Sequence, residues 1–294
     1  MAFAIAALLA IAPSGDSLAQ QIQSRIAQEP GAQVGLAYID LASEDTLFLN
    51  ADSSFHAAST MKVPVMIELF RGASRGSFAM HQRLLLVNRF ASIVDGSLYA
   101  LDSSSDGDTT LYRRVGDRIS IDTLMRLMIT RSSNLATNTL ITLVGAENVN
   151  RMMRTLGANR MLVLRGVEDG KAFDRGLINT TTARDLAITL RAIEEGKAAS
   201  PAATREMLGL LLAQEFNEKI PAGLPKGTRV AHKTGEITAV SHDAAIVYPP
   251  GRKPYVLVVL TRGITDGSKS SRLIADLSEI IYSHTTLKPG TNSP

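Results

Sequence analysis

Strand-like runs stand at the two ends of this 294-residue chain and helical periodicity fills the stretch between them, a distribution that limits the fold more than any other feature. Asp16 to Gln28 carries Leu18, Ile22 and Ile26 at helical spacing, and Pro30-Gly31 ends that helix before two strand-like segments, Val34 to Ile39 and Thr46 to Asn50. From Thr60 to about Ile193 the signals are mostly helical: Ile121, Leu124, Leu127 and Met128 share a face, and Leu140, Ile141 and Val144 lead to Gly145 as a stop. Thr180 to Thr182 cap a helix that turns Leu186, Leu190 and Ile193 inward and ends at Gly196. Ser200-Pro201 opens another, with proline in the first turn, where its missing donor costs little. Three strand-like runs follow, Arg229 to Lys233, Asp243 to Tyr248 and Tyr255 to Leu260, and then a final helix over about Ser270 to Ser283. The simplest packing is an α/β (α+β) architecture: one antiparallel sheet built from both ends, terminal helices laid on it, and an all-helical lobe inserted. Residues 16–57 and 197–288 are expected to form the discontinuous α/β lobe and residues 58–196 the helical one.

With 45% hydrophobic and 20% charged residues the chain can bury a full core. Its net charge of +3 comes without a Lys/Arg run or interleaved aromatics, which argues against a nucleic-acid partner. The absence of cysteine excludes disulfides, a thiolate nucleophile and Cys-based metal sites, and the five histidines lack paired ligand spacing, so no metal or cofactor is expected. Residues 2–12 form an apolar run too short to span a bilayer, ending in the small-x-small pattern Ala10-Ile11-Ala12 of a secretory signal but lacking a positive n-region. No later stretch reads as a membrane anchor. A periplasmic or secreted monomer is the expectation.

Three short segments carry the chemistry: Ser59-Thr60-Met61-Lys62, Ser132-Ser133-Asn134 and Lys233-Thr234-Gly235. Together they offer a nucleophilic hydroxyl, two amines able to strip or steer its proton, a second hydroxyl to relay protons, and a strand edge for an acyl donor. Serine three residues before lysine on a helix sets both on one face, near the N-terminus that favours developing negative charge. Lysine is protonated at neutral pH, so Lys62 acts as a base only if burial or a neighbouring cation such as Lys233 lowers its pKa. Ser-x-x-Lys by itself turns up about once by chance in a chain of ordinary composition, and it is the order of all three segments that gives weight. A rival nucleophile exists in Gly72-Ala73-Ser74-Arg75-Gly76, which fits the Gly-x-Ser-x-Gly elbow of α/β-hydrolases if Val63 to Phe70 is its buried strand. The alternative is that Gly72 stops the Ser59 helix.

The ordered triple resembles that of class A β-lactamases and the related serine hydrolases among the penicillin-recognising enzymes. The likeness runs from about Asp16 to Leu287 and includes Ala51-Asp52-Ser53-Ser54-Phe55 before Ser59, the Thr-rich segment Asn179 to Ala187, and the last hairpin, His242 to Pro250 with Tyr255 to Leu260. It implies an active site in the cleft between lobes and no cofactor. It makes Ser59 the nucleophile, with Lys62 or Glu168 as acylation base, and Ser132 the proton shuttle to the leaving nitrogen. Asn134 then holds the substrate amide, Thr234 and Lys233 meet a substrate carboxylate beside Gly235, and the backbone donors of Ser59 and Glu236 form the oxyanion hole. Glu168, in Arg165-Gly166-Val167-Glu168, resembles the base that activates the deacylating water, the alternative being a surface-loop glutamate. Lys219 falls where relatives place a basic residue that binds the same carboxylate, the alternative being a solvated lysine. Asn138 matches a position that supports the loop of Glu168. The chain departs from the pattern at Ser133, where aspartate is usual, and at Ala172, where asparagine is usual. The implied activity is hydrolysis of small-molecule β-lactams. A D,D-peptidase or esterase of the same fold with slow deacylation, and a non-turnover penicillin-binding module, are the alternatives.

Overall fold

Ser17 opens the described part of the chain: in this computed structural model, which describes residues 17–287, its hydroxyl caps helix α1 (Leu18–Ala27) in a reciprocal capping box with Gln20. The apolar run at residues 2–12 lies outside the described residues. Strands β1 (Gln33–Asp40), β2 (Thr46–Leu49) and β3 (Phe55–His56) follow, and a 3-10 turn, Ala58–Met61, runs into α2 (Lys62–Ser74). Ser59 therefore sits in a tight turn ahead of the α-helix proper. Gly72 lies inside α2, with the Phe78 ring where a Cβ would be, and the helix stops at Ser74 before Gly76 at φ +76°. Val63 to Phe70 is thus a buried helix and no strand, which removes the α/β-hydrolase reading of Ser74.

The mostly helical reading of Thr60 to about Ile193 misses the stretch between residues 75 and 120. That stretch holds the short strands β4 (Arg83–Leu85), β5 (Phe90–Ala91), β6 (Leu98–Tyr99) and β7 (Arg118–Ser120), paired β4 with β7 and β5 with β6. Strands of two or three residues are too short to leave a periodic signature. Helices α3 (Ile121–Thr130), α4 (Asn134–Val144) and α5 (Ala146–Thr155) come next, α4 stopping at Gly145 with φ +76° as expected. A loop containing the short α6 (Gly170–Asp174) leads to β8 (Thr180–Thr181), which pairs with β3. Then come α7 (Ala183–Glu194), capped by Thr182, and α8 (Pro201–Leu212), capped by Ser200 with proline in its first turn.

The last strands, β9 (Arg229–Ile237), β10 (Val240–Tyr248) and β11 (Tyr255–Arg262), precede α9 (Gly267–Leu287). They form one antiparallel sheet with the first two in the order β2-β1-β11-β10-β9, so the ends of the chain meet at the β1–β11 ladder. Period-two alternation sorts the side chains. Val34, Leu36, Tyr38, Leu257 and Val259 join Ile22 of α1 and Leu273, Leu277 and Ile281 of α9 on one face. Ala37, Ile39, Val256, Val258 and Leu260 join the core of the helical lobe on the other. This arrangement leaves β9 as the free edge, and the 3-10 turn of Ser59 packs against it.

Candidate active site

Gly235 is where the sheet edge and the nucleophile turn come closest. A Cβ at this position would lie 3.1 Å from the backbone nitrogens of Ser59 and Thr60, so only glycine lets β9 run alongside the turn without pushing it away. Alternation along β9 then directs Lys233 inward with Ala231, and Thr234 and Glu236 to the opposite side.

Lys62 and Lys233 are both fully buried, and their ammonium groups converge on Ser132. Lys62 Nζ donates to Ser132 O at 2.6 Å, Ser132 Oγ at 3.1 Å and Asn134 Oδ1 at 2.9 Å. Lys233 Nζ donates to the same Ser132 Oγ at 3.0 Å and to Thr234 O at 2.9 Å. Removal from water disfavours both charges: burial brings Lys62 down to about 7, while the nearby carboxylates of Asp106 and Glu168 hold it up. Lys233 falls well below its ordinary value, again chiefly by burial, with the charge of Lys62 adding to it. A hydroxyl between two amines can accept from one and donate to the other, which is the local requirement for a proton relay.

Ser132 occupies the break between α3 and α4 with φ +57°, and Ala58, just before the nucleophile, has φ +45°. Left-handed backbone in non-glycine residues is costly and is held by its surroundings, here the bonds that Ser132 makes to both lysines. Ser133, which replaces the usual aspartate, caps α4 by accepting from Ala136 N at 3.3 Å. The carboxylate at this helix start comes from elsewhere. Asp106 accepts from Asn134 N and Leu135 N, both at 2.9 Å, and from the Tyr112 hydroxyl at 2.8 Å. Sequence reading missed Asp106, because its partners lie 28 and 29 residues further on. An anion at the N-terminus of α4 is favoured by the exposed N–H groups there, and it anchors the residue that touches Lys62.

Glu168 faces the same group of residues. Its Oε1 accepts from Asn134 Nδ2 at 2.7 Å and from Ser105 Oγ at 3.2 Å, and the residue has φ +61°. Asn134 thus bridges Lys62 and Glu168 through the two ends of one amide. Asn138 holds the loop: its Oδ1 accepts from Val167 N at 2.6 Å and its Nδ2 donates to Val167 O at 3.0 Å. Gly166 makes this clamp possible, since a Cβ there would lie 2.3 Å from Asn138 Oδ1. Asn179 adds a second clamp through Leu164 N, Arg165 N and Arg165 O. Ala172, where asparagine was expected, is buried inside α6 and brings no polar group to the cleft.

Lys219 is not a solvated loop lysine. It is 3% exposed, and its Nζ donates to Glu236 Oε2 at 3.0 Å. Behind it His232 Nδ1 lies 3.0 Å from Asp243 Oδ1, and Asp243 Oδ2 accepts from Ile220 N at 3.1 Å, tying the Lys219 loop to the sheet. Ser59, Asn134, Glu168 and Glu236 line one cleft of about 580 Å³. Ser74, the rival nucleophile, is exposed at the far end of α2.

The model of the β-lactamase enzyme family matches residues 17–285. A β-lactamase of Streptomyces albus G is 26% identical over 257 residues, 85% of this chain and 79% of that protein. β-Lactamase AST-1 of Nocardia asteroides is 29% identical, over 85% of this chain and 78% of its own. Among solved structures PBP-A is similar with a TM-score of 0.80 and 28% identity, covering 92% of this chain and 96% of that one. A mutant of PBP-A, also at TM-score 0.80, was solved as an acyl-enzyme complex with penicillin G.

Proposed function

This chain belongs to the β-lactamase enzyme family, as an enzyme of the class A type, and from that premise we propose that it hydrolyses β-lactams through an ester on Ser59. The observation that carries the mechanism is the meeting of two buried lysines on Ser132 beside the Ser59 turn. Ser59 Oγ attacks the lactam carbonyl carbon, and its proton passes to the amine of Lys62 or, through a water, to Glu168. The oxygen that becomes negative is met by the backbone N–H groups of Ser59 and Glu236, and loss of one such donor typically costs about 10²- to 10³-fold in rate. As the carbonyl re-forms, the C–N bond breaks, and the departing nitrogen takes its proton from Ser132 Oγ. That hydroxyl is restored from the lysine that holds a proton. Glu168 then takes a proton from water as the resulting hydroxide attacks the ester carbonyl, the bond to Ser59 Oγ breaks, and the proton returns from Glu168 to Ser59 Oγ through Lys62 or a water as the opened product leaves.

Asn134 is proposed to hold the substrate amide, Thr234 and Lys219 its carboxylate, and Lys233 to add positive potential. Glu168 is the one carboxylate among the described residues that hydrogen-bonds Asn134 through its side-chain amide, which suits a base poised above the acyl group. The reading includes export to the periplasm or beyond. No helix among the described residues is long and apolar enough to cross a membrane.

A second reading keeps the acyl step and loses the deacylation: a penicillin-binding peptidase, favoured by the likeness to PBP-A and by Ala172. Steady-state hydrolysis of a chromogenic cephalosporin, followed by intact-mass measurement, separates the two. A hydrolase turns over and returns to apo mass; a binding protein keeps the adduct. The absence of both turnover and adduct overturns the reading altogether.

A further inference from the structure

The Glu236 side chain has no part in the scheme above, yet it holds Lys219, the residue to which the scheme gives the substrate carboxylate. Glu236 follows the Lys233-Thr234-Gly235 triplet on the free edge of β9, and alternation sets its side chain on the same face as Thr234, about 7 Å along the strand. Its carboxylate neutralises Lys219, whose side chain is only 4% exposed while that of Glu236 is 55% exposed. A buried ammonium needs a partner, and here the partner is solvent-facing and tethered to β9. The absence of a side chain on Gly267 gives the carboxylate room, since a Cβ there would lie 3.2 Å from Glu236 Oε1. Glu236 lines the cleft together with Ser59, and together with Lys219 and Gly267 it lines an adjoining cavity of about 620 Å³.

We propose that Glu236 is a built-in competitor for the carboxylate subsite and sets substrate preference. In the free enzyme it satisfies Lys219. A β-lactam with a free carboxylate must evict it, whereas an acyl donor whose end against β9 is neutral need not. The enzyme is therefore biased toward acyl donors that lack a free carboxylate there. This inference rests on the β-lactam reading of the same cleft.

The test compares a chromogenic cephalosporin with its methyl ester on the full chain and on Glu236→Gln, which keeps the shape and removes the charge. The acid-to-ester ratio of kcat/KM is expected to rise about two- to fivefold in the variant, the scale of a partly exposed ion pair, and to do so mainly through KM for the acid. Lys219→Met is expected to lower the same ratio. An unchanged ratio in Glu236→Gln, or equal movement of acid and ester, overturns the proposal. Titration with hydrolysed penicillin G supplies a readout that needs no catalysis: its affinity rises by a similar factor in Glu236→Gln, and an unchanged affinity overturns the proposal. Failure of the functional reading has a different signature, the absence of an adduct on Ser59 with either cephalosporin, and the titration still decides the role of Glu236.

Discussion

Lys62 and Lys233 meet on a single oxygen: Ser132 Oγ lies 3.1 Å from one Nζ and 3.0 Å from the other. Two buried ammonium groups this close repel each other, and the cleft is cheapest to form when at least one of them is neutral. A neutral amine has a lone pair. The same crowding that costs stability thus favours a neutral amine at neutral pH, as the proposed base and relay require.

The pH profile of acylation follows from this. With the neutral form of Lys62 as the proposed base and burial bringing its pKa to about 7, the single-turnover rate is expected to rise with pH through about 7 and to decline below it. The Asp106 carboxylate holds that value up, so Asp106→Asn moves the acidic limb to lower pH. Lys62→Met lowers acylation by about 10²- to 10⁴-fold. A limb that stays in place in Asp106→Asn, measured by stopped-flow across pH 5 to 9 (roughly the range in which such shifted groups titrate), counts against Lys62 as the base.

Glu168→Gln separates the two halves of the cycle. Acylation continues while deacylation slows by about 10²- to 10⁴-fold, the worth of a positioned general base, and the acyl-enzyme accumulates in intact-mass spectra. Unchanged turnover in this variant removes Glu168 from the mechanism.

Asn138→Ala removes both hydrogen bonds between Asn138 and Val167 and leaves Val167 O with the Tyr99 hydroxyl alone, at 3.2 Å. Stability falls by about 1–3 kcal/mol, because the Val167 N–H loses its partner in a part-buried setting and Val167 O loses one of two donors. Deacylation suffers more than acylation, since Glu168 is the next residue. Urea unfolding and hydrogen exchange at the Val167 amide check the two parts separately; an amide as protected as in the parent chain refutes the clamp.

Gly235→Ala introduces a Cβ 3.1 Å from Ser59 N and Thr60 N. The strand edge and the Ser59 turn have to part by a few tenths of an ångström, which would misalign the proposed oxyanion donors. Acylation is expected to fall by about 10²-fold, with a much smaller change in thermal midpoint. A variant that retains full acylation shows that the close approach is not required.

Ser59→Ala and Ser74→Ala decide between the two serines. Adduct formation with a β-lactam is expected to vanish in the first and persist in the second, read by peptide mapping of the labelled protein. Labelling that survives Ser59→Ala is the outcome that defeats the assignment.

Long elements were legible because their patterns are long. The alternating run of β1, the strand-like apolar runs of β10 and β11, the caps Thr182 and Ser200, and the stop at Gly145 are local signals, and each stands where it was expected. The short strands between Arg83 and Ser120 left no such trace, and Gly72 was read as a stop although the helix runs on to Ser74. Glycine lowers helix propensity without forbidding the helix, and here packing against Phe78 prevails. In the cleft, the three motifs named most of the residues. They did not disclose Asp106, nor that Lys219 is buried, nor that Glu236 answers it with its side chain.

The order of the long elements and the antiparallel sheet assembled from both ends were determined by the sequence itself, since periodicity and caps are properties of neighbouring residues. The protonation of the lysines and the choice of partner for each polar group were decided only by the tertiary structure. Lys233 and Ser132 are 101 residues apart, and Lys62 and Asn134 are 72 apart. Desolvation and Coulomb energy depend on every atom that surrounds a charge, wherever in the chain it originates.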